Sequence, residues 1–143
     1  MAKYAKEEIA LLQLVAAIEL FWQEKYIPSI TLAGAAEEVY DALLKQHSEK
    51  IGIPLPNQAE MERAIFDAHY EIIGIRNYIA YRNNTRNELK HHGDERNKDF
   101  VSGDFKQIAM NHIAGAVINC KMRTGKIPEN NIVITHCEKV GLS

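Results

Sequence analysis

Apolar residues recur along most of this chain at the spacing of a helix rather than a strand. Over residues 5–25, Ile9, Leu11, Leu12, Leu14, Val15, Ile18, Leu20, Phe21 and Trp22 form one broad apolar face. That face is wider than a single helix neighbour needs, so it predicts contact with two helices or with a second subunit. Tyr26-Ile27-Pro28-Ser29 reads as a short turn, with Ser29 as the N-cap of a second helix running to about residue 49. Small residues at 33–36 would let another element approach that helix closely. Gly52, Pro54 and Pro56 mark residues 50–58 as a loop.

A third helix is expected over about 58–92. Its stripe runs Met61, Ile65, Ala68, Ile72, Ile75 and Ile79, and the same alternation of three and four residues then reaches Arg82, Arg86 and Leu89. The core-facing stripe therefore becomes cationic over its last turns. A buried charge is too costly to persist unpaired, so this end should open to solvent, a cleft or a partner. Gly93 supplies a C′ residue, and residues 93–103 read as a loop. Asp104 and Gln107 suggest a capping box for a fourth helix to about Arg123, ended by Gly125. Ile132-Val133-Ile134 reads as a short extended segment on the bundle. The expectation is all-α: a single domain over 1–143, an antiparallel four-helix bundle with a short C-terminal extension.

Length and composition agree with one globular domain: 143 residues, 46% hydrophobic and 25% charged. Charge changes the picture more. The formal net charge is −2, but residues 1–75 carry six basic and twelve acidic side chains, against eleven and seven over 76–143. Arg76, Arg82, Arg86 and Lys90 face one acid, Glu88, between positions 76 and 92. A local basic patch on an acidic chain fits a small anion or a short RNA footprint, not a protein that coats nucleic acid by charge alone. No apolar run is long enough to span a bilayer, and the N-terminus has no signal-peptide core, so a cytoplasmic protein is expected. Cys120 and Cys137 lack metal-ligand spacing and read as small apolar residues. His47, His69 and His136 share no spacing, so no metal site is expected. His112 falls on an apolar stripe and reads as a hydrogen-bonded core histidine.

The run Arg86-Asn87-Glu88-Leu89-Lys90-His91 places Arg, then Asn, then His five positions after the Arg. It resembles the motif of the HEPN superfamily, small helical-bundle proteins of which many are metal-independent ribonucleases, often toxins or defence effectors. Arg63 to His69 also fits the allowed spacing, but Ala64 follows Arg63, and Arg86 alone stands where the core stripe turns polar. The resemblance implies RNA cleavage without cofactor or metal, by Arg86, Asn87 and His91. Such chemistry needs a base for the 2′-hydroxyl, an acid for the leaving oxygen and positive charge for the phosphorane. His91 has the reference pKa for the first two, and Arg86 a planar fork for phosphate. Asn87 would orient His91 or bind phosphate.

Arg82 and Lys90 are further candidate substrate-binding residues. His92 reads first as a solvated helix-end residue, with substrate binding as its functional alternative. Glu37 reads as structural or as a support that orients Arg86 or Arg82, and Glu19 could pair with an arginine in the same way. Residues five apart on a straight helix diverge by about 140°, so Arg86 and His91 converge only if the helix distorts or if a second copy completes the site. The resemblance implies the second, a homodimer with a shared cleft, and an antitoxin or defence protein as a further partner. Gly93 stands where some toxins of this superfamily carry a modified Tyr, so control through that Tyr is not expected. The alternative is a non-catalytic HEPN-like bundle that binds a nucleotide or a protein partner.

Overall fold

A computed structural model describes residues 1–62, 64, 75–90 and 101–142. Five helices are bounded within them: α1 (Lys6–Trp22), α2 (Tyr26–Ile51), α3 (Ile75–Lys90), α4 (Phe105–Thr124) and α5 (Asn131–Val140). Residues 58–62 are also helical, and no strand occurs among the described residues. The chain is all-α, with α1, α2 and α4 packed together, α5 against α1, and α3 against α2.

The start of α2 differs from the sequence expectation. The turn from α1 falls at 23–25, where Glu24 adopts the left-handed region (φ 60°). The helix begins at Tyr26, so Pro28 sits in its first turn, where a missing N–H costs no helical hydrogen bond. Ser29 is therefore not a cap. It is buried inside the helix, and its Oγ donates to the Ala17 carbonyl at 2.7 Å, tying α2 to α1. α2 ends at Gly52, which takes the left-handed conformation that a C-terminal glycine allows.

The other ends follow local chemistry. The Ala5 N–H donates to the Glu8 carboxylate at 3.0 Å, and Glu7 and Glu8 place negative charge in the first turn of α1. Asp104 caps α4 by accepting from the Gln107 N–H at 3.1 Å, but the predicted capping box is only half formed, because the Gln107 side chain donates to Asn111 Oδ1 at 2.9 Å instead of reaching back to Asp104. The segment predicted to be extended, Ile132-Val133-Ile134, is helical. Asn130 accepts from the N–H groups of Ile132 and Val133, and Gly141 stops the helix at its other end. Burial of Val133, His136 and Cys137 on one face outweighs the strand preference of three β-branched residues.

The core joins Leu14, Ala17 and Ile18 of α1 to Ala33, Ala36 and Tyr40 of α2, Ile113, Ala116 and Val117 of α4, and Val133 and Cys137 of α5. The alanines keep the helix axes close. Cys120 and Cys137 are free and buried, and burial pushes both thiols above their ordinary pKa. α1 buries one stripe and leaves Ile9 41% and Leu12 62% exposed. No described helix is long and apolar enough to cross a membrane.

Candidate functional site

The polar centre of the molecule is Glu37, one turn beyond Ala33 on α2, with its carboxylate buried. Arg82 of α3 meets it with both ends of its fork. Nη1 donates to Oε1 at 2.9 Å and Nη2 to Oε2 at 2.7 Å. From the other side, His112 Nδ1 of α4 lies 2.9 Å from Oε1. The carboxylate only accepts, so Nδ1 carries the proton. Burial alone would raise the Glu37 pKa, but hydrogen bonds from His112 and Arg82 outweigh it and hold the carboxyl below its usual range.

Arg82 is 5% exposed at its side chain and fully committed. Its Nε donates to Glu62 at 3.0 Å, and Nη2 also reaches the Asn111 carbonyl at 3.4 Å. The cationic stripe of the third helix thus runs along a cleft, lined by both Arg82 and Arg86, that carboxylates share. It is neutralised from within, because α2 and the 58–62 segment supply carboxylates where the stripe turns basic. Glu19, the other carboxylate proposed for this role, is exposed on α1.

Two glycines make the cluster possible. A Cβ at Gly115 of α4 would stand 1.6 Å from Glu37 Oε2 and 2.8 Å from Arg82 Nη2. A Cβ at Gly34 of α2 would stand 2.2 Å from Arg86 Cδ. Glycine in a helix interior costs up to about 1 kcal/mol against alanine, and here that cost creates the space for two buried charged side chains.

Arg86 lies on Gly34 one turn beyond Arg82. Its Nη2 is 3.3 Å and its Nη1 4.0 Å from the carboxylates of Glu38 and Glu37 respectively. The side chain is 14% exposed, and its buried Nε has no partner among the described residues. Lys90, a further turn on, reaches the same Glu38 oxygen at 3.5 Å. Asn87 is partly exposed beside them. The structure therefore gathers Glu37, Arg82, Arg86 and Lys90 along one side of α3. His91 and His92 lie outside the described residues, as do Gly93 and the pairing of Arg86 with His91.

Sequence reasoning identified Arg82, Arg86, Glu37 and His112 but missed Glu62, Gly34 and Gly115 as members of one cluster. The signal for the glycines was available, since a glycine inside a helical pattern asks for a packing reason. Among the described residues no group of three or more His, Cys, Asp or Glu side chains is placed to hold a metal ion. Comparison of the chain with protein-family models, curated proteins and solved structures finds no match.

Proposed function

We propose that this chain is a HEPN-like helical domain that cleaves RNA without a metal ion, with Arg86 and His91 as the reacting pair. The observation that carries the reading is the fixed position of Arg86. Its stem lies on the bare backbone of Gly34, and its buried Nε is left with an unspent donor at the end of a helix whose next residues are Asn87, Lys90 and His91. Preorganised donors of this kind stabilise developing charge at little reorganisation cost. Arg82 and Glu37, tied to His112, act as positioning residues that hold this end of α3 against α2 and α4.

In the reaction, a base takes the 2′-hydroxyl proton and the freed oxygen attacks the adjacent phosphorus. The bond to the 5′ oxygen breaks, and an acid protonates that leaving oxygen. The products are a 2′,3′-cyclic phosphate and a 5′-hydroxyl. His91 serves as base or acid, Arg86 bears on the phosphorane, and Asn87 orients His91 or a phosphate oxygen. Lys90 and His92 extend the RNA contact. The same reading includes a homodimer whose two motifs line one cleft, supported by the exposure of Ile9 and Leu12 on α1.

The test is incubation of the purified chain with single-stranded RNA in EDTA. Wild type should yield cyclic-phosphate ends. Arg86→Ala and His91→Ala should each reduce cleavage at least about 100-fold, the scale of a lost acid–base or charge-stabilising group. Absence of cleavage by wild type, or equal cleavage by both variants, ends the enzyme reading. One observation favours a non-catalytic bundle that binds a nucleotide or a protein instead: Glu38 already partly neutralises Arg86. A thermal shift with nucleotides, without cleavage, would select that alternative.

A further inference from the structure

Two carboxylates stand near Arg86, and they are held very differently. Glu37 is fixed. Its side chain is 8% exposed, and Arg82 and His112 bond it at 2.7 to 2.9 Å. Glu38, the next residue on α2, is 48% exposed. One of its oxygens lies 3.3 Å from Arg86 Nη2 and 3.5 Å from Lys90 Nζ. Both distances exceed the roughly 2.7–2.9 Å of a charge-assisted hydrogen bond. Exposed pairs of this kind hold their partners weakly, so Glu38 can swing into solvent at little cost.

That oxygen marks an anion position, because both cations at this end of α3 share it. Arg86 adds a further donor beside it: Nε, buried and without a partner. Nε and Nη2 form one edge of the planar guanidinium, and two oxygens of a phosphate fit such an edge side by side. Glu38 meets Nη2 and leaves Nε empty. A phosphate would use both donors and keep Lys90, but it cannot enter while Glu38 is in place.

We infer that Glu38 is a built-in competitor for phosphate: its carboxylate holds the anion position between Arg86 and Lys90, and a phosphodiester binds there by displacing it. The inference rests on the ribonuclease reading for the identity of the polymer. The displacement costs the same in the bound substrate and in the transition state. Glu38 therefore sets KM and leaves kcat alone.

The experiment measures binding of a labelled 2′-deoxy oligonucleotide to the full chain by fluorescence anisotropy at about 0.1 M salt, where charges are screened beyond about 10 Å. The probe has the phosphodiester backbone but no 2′-hydroxyl, so binding is read without cleavage. RNA cleavage is followed on the same preparations. Glu38→Gln keeps the side-chain shape, removes the charge and should tighten binding about fivefold, the scale of one exposed charge pair. Glu49→Gln, at an exposed position roughly 16 Å further along α2, should change binding less than about twofold. In an Arg86→Ala background the gain from Glu38→Gln should vanish. On RNA, Glu38→Gln should lower KM about fivefold at unchanged kcat, whereas a carboxylate that positioned Arg86 would lower kcat when removed. Glu38→Ala decides the matter if Glu38→Gln does not fold.

Unchanged or weaker oligonucleotide binding by Glu38→Gln overturns the competitor, as does an equal gain from Glu49→Gln. Absence of binding by every form does the same. RNA cleavage with oligonucleotide binding unmoved by Glu38→Gln removes the competitor and leaves the ribonuclease. Tighter binding by Glu38→Gln that needs Arg86, without cleavage by any form, keeps the competitor and removes the ribonuclease.

Discussion

Glu37 is surrounded by groups that depend on it. Arg82 gives it two hydrogen bonds and His112 a third, and water reaches none of the three freely. Removing one partner of such a pair leaves an uncompensated buried charge, a loss of about 3–5 kcal/mol. Glu37→Ala should therefore lower the unfolding free energy by that amount in urea titration, while Glu38→Ala, at a half-exposed pair, should cost under about 1 kcal/mol. The difference separates a structural carboxylate from a surface one. Arg82, Glu37 and His112 were visible in sequence because each broke an apolar stripe. Their mutual contact was not, because it depends on Gly115, whose role is to be absent as a side chain, and on Glu62, whose partner is twenty residues away.

At the scale of elements, local chemistry wrote some boundaries clearly and misled at others. Asp104 and Gly125 bracket α4 as read, and Gly52 closes α2. Ser29 has the side chain of a cap, but Pro28 before it belongs inside the first helical turn, and the hydroxyl is spent on Ala17. Three β-branched residues in a row resemble a strand, yet Asn130 and Gly141 frame a helix around them. The cap is the part of α5 that one substitution can remove. Asn130→Ala should lower stability by about 1 kcal/mol, readable as a shift of the urea midpoint at unchanged slope. The charge reversal along the third helix was legible, but its meaning was not. Sequence gives the stripe of α3 without the acids that α2 turns toward it.

For the molecule as a whole, acid should act in two steps. His136 is buried against Phe21 and Trp22, with Lys139 nearby, and burial followed by the charge of Lys139 lowers its pKa below 6.5. The unfolded chain then binds that proton more readily than the folded one. Stability is full above about pH 6.5 and falls as the pH drops toward the lowered value. Glu37 acts in the same direction further down. Its lowered carboxyl contributes fully above 4.5, and that contribution is lost as the pH falls through its folded value. Thermal midpoints measured from pH 8 to 3 should decline in both windows. His136→Gln should flatten the upper one and leave the lower one in place.

Gly115 also restricts the order in which this chain can change by mutation. A methyl group at 115 collides with the Glu37 carboxylate, so Gly115→Ala alone should be strongly destabilising. Once Glu37 has become alanine the same methyl enters space already vacated. The two substitutions should be markedly less costly together than the sum of their separate costs, a coupling that a double-mutant cycle reads directly. A lineage that keeps the carboxylate must keep the glycine. One that abandons the carboxylate is released from it, and the alanine that follows would make the return to glutamate a forbidden step.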